Sequence, residues 1–200
     1  MFQEPKSKGG TLSSIFKLLL TPFSILGEVL TVALISLAII LPIRYFLVQP
    51  FYVKGASMEP NFQEHDYLLI DEISYRFNNP KRGEVIVFRP PLNKREFFIK
   101  RVIGLPGERV QIRDGKVWVA KSGEQLQEIN ESYLAGVVTQ GQINSTYLDV
   151  TLGDGQYYVL GDNRGASLDS RTFGPITLHE IMGRTWVRAW PFDRWQVYSY

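Results

Sequence analysis

The chain has 200 residues, with 22 Lys and Arg against 20 Asp and Glu and a net charge of +2. From Phe51 onward 18 basic residues balance 18 acidic ones, which argues against nucleic-acid binding, since that requires a concentrated basic face to displace counterions. A hydrophobic content of 44% excludes a disordered chain, and the absence of cysteine excludes disulfide frameworks, Fe–S clusters, thiolate zinc sites and cysteine nucleophiles.

The first predicted element is an apolar helix. Between Leu18 and Ile43 the only charged residue is Glu28, and Val29 to Ile43 carries none. Fifteen helical residues rise about 22 Å, short of a hydrocarbon core of roughly 30 Å. Extension toward Leu26 or Val48 reaches spanning length if Glu28 or Arg44 snorkels to an interface. The segment 26–48 is therefore expected to be a transmembrane anchor, with 1–25 a short tail and 49–200 the functional domain. The run exits through Arg44, Tyr45 and Phe46 rather than a small-x-small cleavage site, so it reads as uncleaved. Lys6, Lys8 and Lys17 place the tail in the cytoplasm and the domain on the far side, although Arg44 and Lys54 weigh against this.

The rest of the chain reads as mainly β. Short apolar or alternating runs at 67–73, 84–88, 97–103, 109–113, 116–119, 156–160 and 184–190 are separated by turn signals. Asp114-Gly115 between two such runs predicts a two-residue hairpin. The stretch 122–145 is polar and aperiodic, and is expected to be a loop or excursion. No helical period follows residue 50, and the spacing predicts an antiparallel sandwich or barrel-like fold.

Three segments carry candidate chemistry. The first, Gly55-Ala56-Ser57-Met58-Glu59-Pro60, presents a serine on an irregular turn of small residues; alone it is a weak signal, since small-residue turns are common and most are not catalytic. The second, Phe97 to Gly107, embeds Lys100 and Arg101 in an apolar strand, where charge is costly to bury. Alternation does not say which of the two faces inward, because both faces are apolar. A desolvated lysine can become a base and arginine cannot, yet Lys100 could equally snorkel. The third, Gly161 to Arg171, is dense in hydrogen-bonding groups: Asp162, Asn163, Arg164, Ser167, Asp169 and Arg171. It either braces a site or is a turn held by Asx motifs and Asp–Arg pairs.

In order along the chain, GASMEP, DYLLIDEISYRF, KRGEVIVF with FIKRVIGLPGE, and GDNRGASLDSRTFGPI together resemble the type I signal peptidases, also called leader peptidases (serine protease family S26). The blocks cover much of 52–176. The resemblance implies a membrane-anchored endopeptidase with an antiparallel β catalytic domain on the translocated side. It implies Ser57 as nucleophile, Lys100 as general base and Ser167 as the hydroxyl that positions the lysine. Asp169 and Arg171 match a structural pair, and Asp162, Asn163 and Arg164 a supporting loop. Its substrates would be precursors bearing signal peptides with small residues at the first and third positions before the cut. Its further partners would be the lipid bilayer and the protein-export translocon. The plasma membrane is the expected location, with a thylakoid or organellar inner membrane the alternative. No metal or cofactor is expected.

The residues give this chemistry its reasons. A serine needs a base, and the choices are His65, His179 or a lysine. A lysine would have to fall by roughly 2–3 pKa units, costing about 3–4 kcal/mol. Gly55 stands where some family members carry a serine that assists the oxyanion, so the hole must rest on the Ser57 backbone N–H and another donor. Asn61-Phe62 replaces a commoner Thr-Leu. Tyr52, Val53 and Ile86 lie nearest the motifs and are candidates for pocket walls. Trp186, Trp190, Phe192 and Trp195 suit either an aromatic core or a lipid interface. The rival readings are a membrane-anchored binding or assembly protein on the same scaffold, and a Ser–His hydrolase.

Overall fold

The structure, a computed structural model, describes residues 25–41, 48–91, 93–134, 139 and 147–200. The chain divides between Tyr45 and Phe46 into two compact units. In the first, residues 25–41 form helix α1. Leu26, Val29, Leu30, Val32 and Leu34 are all more than half exposed, so the helix is apolar all round and has no core of its own to face. Its hydroxyl at Thr31 is satisfied internally, donating to the Gly27 carbonyl at 2.8 Å. Among the described residues no helix is long and apolar enough to cross a membrane. The expected tail (1–25) and the far end of the expected span (42–47) lie almost wholly outside the described residues.

The second unit is built from two antiparallel sheets. The strands are β1 (Val48–Tyr52), β2 (Tyr67–Asp71), β3 (Val85–Phe88), β4 (Phe98–Gly104), β5 (Glu108–Arg113), β6 (Lys116–Lys121), β7 (Gln127–Glu128), β8 (Leu148–Thr151), β9 (Gln156–Leu160), β10 (Ile176–Thr177), β11 (Ile181–Trp190) and β12 (Gln196–Val197). Among the described residues the larger sheet runs β1-β2-β11-β3-β4-β9-β10, with β12 on β11, and the smaller runs β7-β6-β5-β8.

The residue pattern explains the order. All four residues of β3 are buried, as befits a strand between β11 and β4 with both faces covered. The last five residues of β4 are buried too. The predicted hairpin forms at Asp114-Gly115, where Arg113 pairs with Lys116 and both turn residues have positive φ, 51° and 76°, the type I′ pattern that matches strand twist. Three apolar clusters fill the interior. Val53, Met58, Phe62, Leu68 and Val87 pack beneath one end of the large sheet. Ile86, Phe88, Val102 and Val159 pack on another part of it. Ile103, Val110, Ile112, Tyr158 and Leu160 join β4 and β9 to the small sheet.

Strands β1, β7, β8, β10 and β12 were not expected from periodicity. Pro50 hides β1, yet β1 is an edge strand, where a missing N–H costs no ladder bond. Within the expected excursion at 122–145, β7 and a single 3-10 turn at Ser132–Leu134 are ordered, and 135–138 and 140–145 lie outside the described residues.

Candidate active site

Beyond β1 the chain turns sharply at Gly55. Its φ is +81° and a Cβ built there would meet nothing within 4 Å, so glycine is needed for the backbone conformation and not for space. The turn that follows is closed by Glu59 N–H to the Ala56 carbonyl at 3.2 Å and Phe62 N–H to the Met58 carbonyl at 2.9 Å. Met58 and Phe62 are each 1% exposed. With Met58 and Phe62 anchoring the turn in the core, Ser57 is left facing a groove of about 690 Å3.

Strand β4 delivers the second group. Lys100 is 3% exposed and Arg101 8%; both are buried, on opposite faces of one strand. The Lys100 Nζ donates to Ser57 Oγ at 2.7 Å and to the Ile99 carbonyl at 2.8 Å, and it lies 5.3 Å from the centre of the Phe98 ring. Burial disfavours its ammonium form and lowers its pKa to about 8, against an opposing pull from the Asp169 and Asp162 carboxylates. Arg101 instead closes a two-point pair on Asp162, at 2.9 and 2.6 Å.

The loop after β9 holds these parts together. Asn163 donates its backbone N–H to the Ser57 carbonyl and its side-chain amide to the Ala56 carbonyl, both at 3.0 Å. Gly161 sits between Ser57 and Ser167: a Cβ there would lie 2.5 Å from the Ser57 carbonyl oxygen and would also strike the Ser167 side chain. Asp169 accepts from Gly161 N–H at 3.0 Å, pairs with Arg171, and caps the short helix α2 (Ser170–Phe173). Arg164 donates to the Gly161 carbonyl, to Glu131 and to Thr139. Among the described residues Ser167 Oγ is buried without a hydrogen-bond partner, and Lys100 Nζ bonds Ser57 and Ile99 instead. All eight residues singled out by the sequence thus fall around one site, Ser57 and Lys100 in direct contact and the rest behind them.

The groove is lined by apolar residues, Phe51, Val53, Leu68, Val87 and Ile99 among them, with Tyr52 and the charged Lys54 and Glu96 also on its walls. Ile86, the third residue expected there, does not line the groove: it is fully buried in the core, packed with Phe88, Val102 and Val159. The His65 ring bonds the Tyr52 hydroxyl, and His179 is exposed on a 3-10 turn; among the described residues neither bonds Ser57. No group of His, Cys, Asp and Glu suited to a metal ion occurs among the described residues. Asn61 is marked in the sequence only as a departure from the commoner Thr, and Glu131 and Tyr133 carry no sequence signal; each reaches a partner tens of residues away. A buried lysine of lowered pKa against a serine hydroxyl can accept that hydroxyl's proton.

The family model described as signal peptidase, peptidase S26, matches residues 26–190. A probable signal peptidase I-2 of Synechocystis sp. is 39% identical over 84% of this chain and 74% of its own length. Signal peptidase I of Leptolyngbya laminosa is 37% identical over 80% of this chain and 77% of its own. Signal peptidase IB of Staphylococcus aureus is 31% identical, covering 81% and 88%. A solved signal peptidase I from Enterococcus faecalis superposes with a TM-score of 0.44 at 32% identity, covering 54% of this chain and 97% of that one.

Proposed function

The chain belongs to the signal peptidase family, peptidase S26, and is a serine endopeptidase that removes signal peptides from precursor proteins; from that premise we propose that it works through a Ser57–Lys100 dyad. The observation that supports the dyad is the 2.7 Å contact from Lys100 Nζ to Ser57 Oγ, made by a lysine whose burial lowers its pKa to about 8. Endopeptidase activity leaves the binding-scaffold reading without a role.

In the proposed sequence, neutral Lys100 takes the Ser57 proton as Oγ attacks the scissile carbonyl. The tetrahedral oxyanion is met by the Ser57 backbone N–H. Collapse expels the new amine, which takes the proton back from the Lys100 ammonium. Water, deprotonated by the same lysine, then attacks the acyl-enzyme and frees Ser57. Asn163, Gly161 and the Asp169–Arg171 pair fix the backbone of the turn, and Ser167 lies behind it as a second hydroxyl near the base. The shallow walls formed by Val53, Leu68, Val87 and Ile99 favour small side chains on the acyl side, because a larger group would clash. The segment 26–48, of which α1 is the described part, serves as the membrane anchor, with the catalytic unit on the translocated face, near the translocon that delivers its precursors.

The test is cleavage of a signal-peptide-bearing precursor by the purified chain. Ser57→Ala and Lys100→Ala should each abolish turnover with the fold intact, and the double variant should be little worse than either. Near-normal turnover in a folded single variant would remove that residue from the mechanism.

A further inference from the structure

Asn61 lies four residues beyond Ser57, at the far end of the same turn. Its side-chain amide donates to Asp162 Oδ2 at 2.9 Å and to the Tyr133 carbonyl at 2.9 Å. Both neighbours are acceptors, so the amide orientation is fixed by chemistry and both its hydrogens are engaged. Asp162 is the carboxylate paired with Arg101, the residue after Lys100. That ion pair is buried, and a buried pair is tolerable only when its remaining lone pairs are satisfied. Asn61 supplies the additional donor to Oδ2. The Tyr133 ring lies flat against the same arginine, 4.1 Å from its guanidinium carbon.

We propose that Asn61 is a positioning residue of the active site, a clamp that sets the Ser57-bearing turn against the strand carrying Lys100 through the Asp162–Arg101 pair and the backbone at Tyr133. The inference rests on the Ser–Lys reading above. The turn meets the loop through Asn163, the loop meets β4 through Asp162, and the turn meets β4 through the reacting pair itself, Ser57 and Lys100. Asn61 adds a second tie from the turn to the Asp162–Arg101 pair, one that does not run through the reacting groups. The turn itself does not depend on the amide to fold, because Phe62 is buried and Arg188 holds the Asn61 carbonyl at 2.7 Å. The clamp therefore acts on the separation of Ser57 Oγ and Lys100 Nζ, where small displacements are costly to catalysis.

The experiment measures kcat, KM, the pH dependence of turnover and the melting curve of the chain on a precursor substrate, for wild type, Asn61→Ala, Asn61→Leu and Asn61→Asp. Asn61→Ala should lower kcat by about tenfold or more, with KM changed by less than about twofold and a cooperative melt retained. Asn61→Asp adds a carboxylate beside Asp162, which favours the Lys100 ammonium, so its rate–pH midpoint should move to higher pH. A purely structural residue would lower the melting temperature and leave kcat per folded molecule and the midpoint where they were. A folded Asn61→Ala with kcat within twofold of wild type overturns the proposal. If Asn61→Ala does not fold, Asn61→Leu, which keeps the volume and removes both donors, decides: depressed kcat supports the clamp and wild-type kcat overturns it. Should Ser57→Ala prove active, the dyad reading fails first; with Ser57→Ala dead and Asn61 variants unimpaired, only the clamp fails.

Discussion

Replacing Lys100 with methionine should make the protein more stable while making it inactive. Lys100 has a pKa of about 8 in the folded state against an ordinary 10.5. Each unit corresponds to 1.36 kcal/mol, so holding this group ready as a base costs the fold about 3 kcal/mol wherever it must carry a proton. The unfolded chain binds the proton more tightly, so this penalty is full below pH 8, shrinks as pH rises from 8 to 10.5, and vanishes above. Methionine has similar length and no charge. Its cost is the donor lost to Ser57 Oγ and the Ile99 carbonyl, about 1 kcal/mol in all because Ser57 faces the groove and can bond water. The net expectation is a gain of about 2 kcal/mol at pH 7 that falls to zero and reverses slightly by pH 10.5. Urea unfolding of the full chain in detergent, followed from pH 6.5 to 10.5, measures it. If the stability gap between Lys100→Met and wild type does not narrow with rising pH, Lys100 is not desolvated and the reasoning fails.

Turnover should rise with pH by about tenfold per unit and level off near pH 8, the value set by burial of Lys100, and Lys100→Arg should be inactive throughout because arginine supplies no neutral base; a midpoint near pH 10 would contradict this. Gly55→Ser and Gly55→Ala should lose activity by a similar factor, about five- to tenfold, since both force a side chain into φ +81° at a cost of about 1 kcal/mol. Restored or enhanced rates in Gly55→Ser alone would instead mean that the added hydroxyl reaches the oxyanion. His65→Ala and His179→Ala should cleave precursor at near-normal rates, because one histidine bonds Tyr52 and the other lies exposed; inactivity in a folded variant would restore the Ser–His alternative.

Local chemistry was legible in the residues. The Asp114-Gly115 hairpin and strand β9 at Gln156–Leu160 fall where turn signals and apolar runs put them. Edge elements were not, because Pro50 and the polar residues of β7 break the pattern that buried strands display. At the site, the sequence left Lys100 and Arg101 undecided, since a strand covered on both faces gives alternation nothing to report. The structure resolves the ambiguity by pairing Arg101 with a carboxylate 61 residues away. The Asn61–Asp162 bond spans 101 residues, and no local propensity encodes such a contact. The residue type at Gly55 shows only that a serine donor is missing, and it takes the dihedral angle, φ +81°, to reveal a backbone requirement.

The guanidinium of Arg164 joins the Gly161 carbonyl to Glu131 and Thr139, and this divides the polar excursion into parts with different freedom. Glu131 and Thr139 are tied through it to the backbone beside Ser57, although they lie far from the serine in sequence. The exposed turn at 121–124, closed by Glu124 N–H to the Lys121 carbonyl at 2.9 Å, is not so tied. Extra domains, epitope tags or linkers are best accommodated at that turn. A deletion reaching Glu131 would remove a support from the backbone beside Ser57 even though it removed nothing that touches substrate. Length variation among chains of this fold should accordingly concentrate in the excursion while stopping short of the residues that grip Arg164.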